Sequence, residues 1–424
     1  MVPVNLQEIQ RALREASSGA SEQSSGPTAE GRAGGGRGLD GWLFYDHHYR
    51  DPIAYRILGL GEGMHVTRRW FYYIPAEGEP RKLVHRIESG RLDSLPGSTT
   101  QYSSWQELEA GLGRMLGGAK RVAMQYSPRN AIMYVSMVDA GTVELVRSMG
   151  VEVVSSADLV SRFEAVLTEA QIETHFEAQR RLDEVLFAGW EHLRGLVRGR
   201  NSTAASEFGL VGFFREAIER AGLWTDHGPN VSVGANSADS HYDPTPESSR
   251  PIRQGGFLLV DIWAKLAGRP EAVWYDITWT GVVGREPTER ERQIFAVVRD
   301  ARDASVRRVQ EAFDRSADSS EQVATLRGWE VDDAARAVIR GAGLALFFTH
   351  RTGHNIGTEL HGNGANLDNL ETHDERVILP RTCFSVEPGV YFPGEFGVRS
   401  EVNMIARAGG AEVTGRVQTE LVRL

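Results

Sequence analysis

The sequence predicts an α/β domain followed by an α+β domain. Three observations carry this. Short apolar runs alternate with helical stretches from Leu39 to about Leu167. A capping pattern at Thr168 and Gln171 then opens a long stretch of helical period. Beyond it, strand and helix runs interleave without strict βαβ alternation, which favours α+β over a doubly wound sheet. The length of 424 residues suits two domains, each able to bury a core. We place the boundary near residue 166, giving domains 1–166 and 167–424.

In the first domain, Leu6, Ile9 and Leu13 recur at helical spacing, so residues 4–16 read as an amphipathic helix. Residues 17–38 hold seven Gly and five Ser and no large apolar side chain, so they read as a flexible insertion. WLFY (42–45), WFYYI (70–74), KLVHRI (82–87) and RVAMQY (121–126) read as strands, and 104–117 and 129–149 as helices. In the second domain, Ile172, Phe176, Leu182, Leu186, Trp190, Leu193 and Val197 mark one helix face. Further helices are expected at 204–221, 287–314 and 319–342. Strands are expected at 230–234, 256–264, 272–282, 384–391 and 400–406.

Lys plus Arg number 47 against 57 for Asp plus Glu, a net charge of −10. An acidic surface disfavours a general nucleic-acid or anionic-membrane binder, since such partners need clustered positive charge. Cys383 is the only cysteine, which excludes an internal disulfide and any cysteine-based zinc site and suits a reducing cytoplasm. The N-terminus lacks the apolar core of a secretory signal, and no run is long enough to span a membrane.

Five segments set a metal-ligating side chain on or beside an apolar strand: FLLVDIW (Asp261), VWYDITWTG (Asp276), THRTGHNIG (His354), CFSVEPGVYF (Glu387) and FGVRSEVNMI (Glu401). A carboxylate inside such a strand is costly to bury unless paired or bound to metal. One such residue is most simply a cap or an ion-pair partner. Four carboxylates and one imidazole together could hold two divalent cations.

The order Asp, Asp, His, Glu, Glu, with the contexts GHNIG, SVEPGVY and VRSE, resembles the pita-bread metallopeptidases, and among them aminopeptidase P and prolidase with their creatinase-like N-terminal domain. The resemblance implies a pita-bread catalytic domain and a dinuclear site. Asp261 would chelate one metal, Asp276 and Glu401 would bridge both, and His354 and Glu387 would hold the other. A metal-bridging hydroxide would cleave an Xaa–Pro bond in a dipeptide or at the N-terminus of a short peptide. Glu387 would shuttle a proton, His241 (in ADSHYDP) would bind substrate, His361 (in ELHG) would steady the tetrahedral intermediate, and Arg399 would order substrate and carboxylates. It further implies two divalent metal ions, Mn before Co, Zn or Fe, and a homodimer acting on short proline-containing peptides.

His350 is a candidate for orienting the ligands. His47 and His48 read as a solvated turn, although relatives sometimes lend that loop to a neighbouring active site. Trp263 stands where relatives carry a small glycine, and Trp279 where an arginine is frequent. Both are expected near the metals, narrowing the pocket. AKLAGRPEA reads as a lengthened hairpin loop. Two other readings stay open: a member that has switched reaction, to a small amide or a lyase substrate, and a metal-free binding module.

Overall fold

The structure is a computed structural model that describes residues 5–18, 38–61, 65–198, 205–317 and 325–424. Nearly all of the Gly/Ser-rich insertion lies outside the described residues. The chain divides into two compact units, Met1–Glu164 and Ala165–Leu424.

The first unit runs α1 (Leu6–Ser18), β1 (Gly41–Asp46), α2 (Pro52–Leu58), β2 (Trp70–Pro75), β3 (Arg81–His85), β4 (Ser98–Tyr102), α3 (Trp105–Met115), β5 (Arg121–Met124), α4 (Ala140–Ser148), β6 (Glu152–Ser155) and α5 (Ala157–Glu164). Its six strands form one mixed sheet ordered β4-β3-β2-β1-β5-β6. Both faces are covered, so every residue of β1 and β2 is buried rather than every second one. Trp42, Phe44, Tyr72 and Ile74 pack with residues of α1, α2 and α5. Leu43, Tyr45, Phe71 and Tyr73 pack with residues of α3 and α4. The α/β class is as expected, with local corrections. Residues 129–149 are not one helix: Arg129 and Asn130 both have φ of 56°, and α4 starts only where Asp139 Oδ1 accepts the Thr142 N–H at 2.9 Å. Strand β4, STTQY, was not foreseen, because four of its five residues are exposed and it carries no apolar alternation.

The His47–His48 turn leaves β1 with His48 and Tyr49 at φ of 64° and 61°. This left-handed backbone is held by Asp46, whose carboxylate accepts the N–H groups of Tyr49, Arg50 and Asp51.

The second unit runs α6 (Glu169–Arg198), α7 (Glu207–Arg220), β7 (Leu223–Trp224), β8 (Asn230–Val233), β9 (Phe257–Leu266), β10 (Tyr275–Val282), α8 (Glu289–Ala317), α9 (Gly328–Gly341), β11 (Asn355–Ile356), β12 (Cys383–Val386), β13 (Gly389–Phe392), β14 (Phe396–Arg399), β15 (Val402–Arg407), β16 (Gly410–Thr414) and β17 (Val422–Arg423). The capping pattern is realised: the Gln171 N–H donates to Thr168 Oγ1 at 3.2 Å, and the Thr168 N–H to Gln171 Oε1 at 3.0 Å. One sheet is ordered β17-β10-β9-β7 with β8 also on β9, and a second is ordered β11-β12-β15-β16. Helices α6 and α7 pack on the first of these, α8 on the second.

The expected strand 384–391 is two strands. Pro388 has no N–H for a ladder, so β12 stops at Val386 and β13 pairs instead with β14. The break leaves Glu387 at a strand end. Helix α9 begins at Gly328, and residues 325–327 of the expected helix are not helical, because Leu326 O accepts the Ile378 N–H and Glu330 Oε2 accepts the Arg327 N–H. Residues 318–324 lie outside the described residues. AKL is not loop: β9 continues through it, with Leu266 paired to Leu223. No helix of the described residues is long and apolar enough to cross a membrane.

Candidate metal centre

The antiparallel register of β9 and β10 sets Asp261 opposite Thr278 and Trp263 opposite Asp276. Opposed residues, and residues two apart, project to one side of a sheet. Asp261, Trp263, Asp276 and Thr278 therefore share a face, while Val260, Ile262 and Ile277 turn into the core. Asn230 on β8 is opposite Asp261 across the other edge of β9, so it joins the same face. Trp279, expected near the metals, is not on this face. Alternation sends it to the other side, where it packs on Phe187 with ring centroids 5.0 Å apart.

His354, Glu387 and Glu401 come from the second sheet and its edges. Gly353 passes so close to β12 that a Cβ there would lie 2.0 Å from the Ser385 carbonyl oxygen. That approach fixes His354: its N–H donates to Ser385 Oγ at 3.0 Å, and its carbonyl accepts the Ser385 N–H at 2.9 Å. Ser385 Oγ in turn donates to Glu387 Oε1 at 2.9 Å. One serine thus ties the His354 backbone and the Glu387 side chain together. Gly353→Ala is expected to destabilise the protein by about 2 kcal/mol or more, since backbone rather than a flexible side chain must give way. Urea denaturation checks this; a loss below about 0.5 kcal/mol would mean that the strands slide apart freely.

The structure brings the five predicted ligands together. Asp276, His354 and Glu401 offer ligand atoms all within 4.8 Å of one another. His354 Nε2 lies 3.4 Å from Glu387 Oε1 and 3.7 Å from Asp276 Oδ2. Asp261 is reached through Thr278, whose hydroxyl lies 2.9 Å from Asp261 Oδ1 and 2.8 Å from Glu401 Oε2. Arg399 donates from Nε to Thr278 Oγ1 at 2.9 Å and pairs with Asp261 through Nη2.

The electrostatics are those of an over-charged pocket. Burial, with mutual repulsion behind it, pushes Asp261 up to about 7, Asp276 up to about 8 and Glu401 well above the carboxylate range. Burial works on Glu387 in the same direction, but His354 and Arg399 hold it low. Burial also pulls His354 down, favouring the neutral imidazole that a metal requires. Asp276 Oδ1 and Glu401 Oε1 are buried and accept no hydrogen bond. Four carboxylates and an imidazole, with two oxygens left without a partner, fit divalent cations.

The remaining candidates are placed differently. The His361 ring meets the edge of His354 at 4.3 Å between centroids. His241 is exposed, with its backbone N–H on Asp239 Oδ1, and makes no described contact with the five. His350 contacts Tyr391 rather than a ligand: its Nδ1 faces the Arg351 carbonyl at 2.7 Å and must carry the proton, so Nε2 accepts from the Tyr391 hydroxyl at 2.8 Å. Sequence reasoning missed Thr278, Ser385 and Asn230. Only Thr278 had a signal, lying two residues beyond Asp276 on a strand.

A profile of metallopeptidase family M24 matches residues 168–408. The probable dipeptidase PepE of Mycobacterium tuberculosis is 28% identical over 357 residues, 82% of this chain and 84% of that protein. An Xaa-Pro dipeptidase of Lactobacillus delbrueckii subsp. lactis is 27% identical over 245 residues, 58% of each chain. The crystal structure of dipeptidase PepE from Mycobacterium ulcerans superposes with a TM-score of 0.65 at 21% identity, covering 99% of both chains. The fold is thus an α/β unit followed by a pita-bread catalytic unit. With more than half of its length matched by the profile, across all five clustered residues, the chain belongs to metallopeptidase family M24.

Proposed function

We propose that the protein hydrolyses Xaa–Pro bonds, in dipeptides or at the N-terminus of short peptides, with two divalent metal ions. The observation that carries the metal reading is the pair of buried, unpartnered oxygens, Asp276 Oδ1 and Glu401 Oε1, among raised carboxylates. Asp261 would hold one ion, His354 and Glu387 the other, and Asp276 and Glu401 both, with manganese the first metal to try. Bound there, the ions lower the pKa of a water molecule and polarise the scissile carbonyl. Proline supplies no N–H and a fixed φ, so the bond must be recognised by other contacts. Arg399 and Thr278 keep the carboxylates aimed. Glu387 passes a proton to the leaving nitrogen. His361, beside His354, steadies the carbonyl oxygen as it gains charge, and His241 orients the substrate. The name of the Lactobacillus relative supports peptides with proline as substrates, and that of the Mycobacterium relative supports dipeptides. A cytoplasmic location agrees with the lone cysteine.

A panel of Xaa–Pro dipeptides and tripeptides assayed with Mn, Co and Zn tests the reading. Failure to cleave every one, with turnover of creatine or a sulfonium compound instead, would replace it with the reaction-switched reading.

Trp263 is the proposed limit on substrate length. Its indole Nε1 donates to Asp226 Oδ1 at 2.7 Å, and its ring lies where a Cβ on Gly228 would stand, at 2.5 Å. Pinned on both sides, it forms a wall next to Asp276. Trp263→Gly is expected to raise the tripeptide-to-dipeptide ratio of kcat/KM about tenfold, the effect of losing one well-packed contact. An unchanged ratio would remove Trp263 from the pocket.

A further inference from the structure

Strand β9 continues two residues beyond Trp263 to Lys265, which alternation puts on the same side as Asp261 and Trp263. Lys265 Nζ donates to the Thr358 carbonyl at 2.7 Å. The indole N–H of Trp274 donates to the same oxygen at 3.0 Å. Both lone pairs of that carbonyl are therefore engaged. The backbone N–H of Trp274 also donates to the Gly357 carbonyl at 3.1 Å. The Lys265 ammonium lies 5.2 Å from the ring centroid of Trp274 and 5.6 Å from that of Trp224, which is its cross-strand partner on β7. A hydrogen-bonded cation between two aromatic rings is well held.

Thr358 lies three residues before His361. The far end of this loop is tied by the Gly362 N–H, which donates to the Asn355 carbonyl at 2.8 Å. Residues 357–362 are thus fixed at both ends, one end by Asn355, the neighbour of His354, and the other by Lys265 and Trp274.

We propose that Lys265 is a positioning residue: through the Thr358 carbonyl it fixes the loop that presents His361 to the metal centre. The proposal rests on the reading that His361 acts on the substrate. A compact ammonium makes a hydrogen bond and meets two ring faces at once. Methionine, of similar length, does neither, whereas arginine retains both.

Hydrogen exchange and kinetics on the metal-loaded enzyme test this. In Lys265→Met the amides of 358–362 should exchange about tenfold faster or more, with β12 unchanged, and Lys265→Arg should restore most of the protection. For an Xaa–Pro substrate, kcat should fall about tenfold with KM within about twofold. The double variant Lys265→Met/His361→Ala should be no slower than His361→Ala alone, because the lysine acts only through that histidine. Should Lys265→Met fail to fold, Lys265→Gln, which keeps a donor but not the charge, carries the same exchange measurement. Unchanged exchange in 358–362, or additive kinetic losses, would overturn the proposal. If the wild type cleaves no Xaa–Pro bond, the substrate reading falls, while exchange still decides the clamp.

Discussion

Glu401→Ala is expected to lose both metal ions and all measurable peptidase activity, a fall of at least about a thousandfold. Among the five clustered side chains, Glu401 is one of two carboxylates with a buried oxygen that accepts no hydrogen bond, and its other oxygen lies 2.8 Å from the Thr278 hydroxyl. Removing it takes a charge from the centre of the cluster rather than its edge. Asp261→Ala should be milder, because Asp261 sits at the Arg399 side and its loss leaves Asp276, His354, Glu387 and Glu401 in place. One ion should then remain. Metal analysis of the two purified variants separates the cases. Two tightly held ions in Glu401→Ala would sink the assignment.

Chelation should abolish activity and also change how stability depends on pH. Without cations, Asp261 and Asp276 are raised to about 7 and about 8 by burial, and Glu401 is raised further. In the unfolded chain these groups titrate near the ordinary carboxylate value of about 4. Between those limits the folded protein binds more protons than the unfolded one, so stability is greatest in acid and falls as pH rises. Each extra proton held contributes a slope of up to about 1.4 kcal/mol per pH unit. Glu387, which is held low, loses its contribution only on acidification through the low carboxylate range. With metal bound the dependence inverts, because the ligands must be deprotonated and binding tightens with pH. The gap in Tm between metal-loaded and chelated protein should therefore widen from pH 5 to pH 8.5 as measured by calorimetry. A chelated protein whose Tm climbs over that range would contradict the pocket electrostatics.

The cluster was legible because charged side chains in apolar strands are conspicuous: Asp261 in FLLVD and Glu387 in CFSVE break a rule that composition makes visible. The start of α6 was legible because a capping box is local. What was hidden depends on partners distant in sequence. Ser385 matters because Gly353 brings His354 against it, and Thr278 because Asp261 is its cross-strand neighbour. Ser385 is ordinary in its own segment, and Thr278 is marked there only by lying two residues beyond Asp276. Trp279 shares a short segment with Asp276, but the two-residue alternation of a strand puts it behind the sheet, so nearness in sequence to a ligand misleads there. Strand β4 has no buried stripe to betray it.

The distribution of the five side chains over two sheets has a consequence for how the enzyme is made. Even the nearest pair in sequence, Glu387 and Glu401, is separated by the whole of β13 and β14. No short stretch of the nascent chain holds two of the five side chains, and closing such loops is an entropic cost that only docking of both sheets recovers. This centre is therefore not available to metal while the polypeptide is still growing on the ribosome. It acquires its ions after the second sheet has assembled, so the cation it carries reflects the pool that the finished protein meets, and expression in cells of different metal supply should yield the same fold with different occupants.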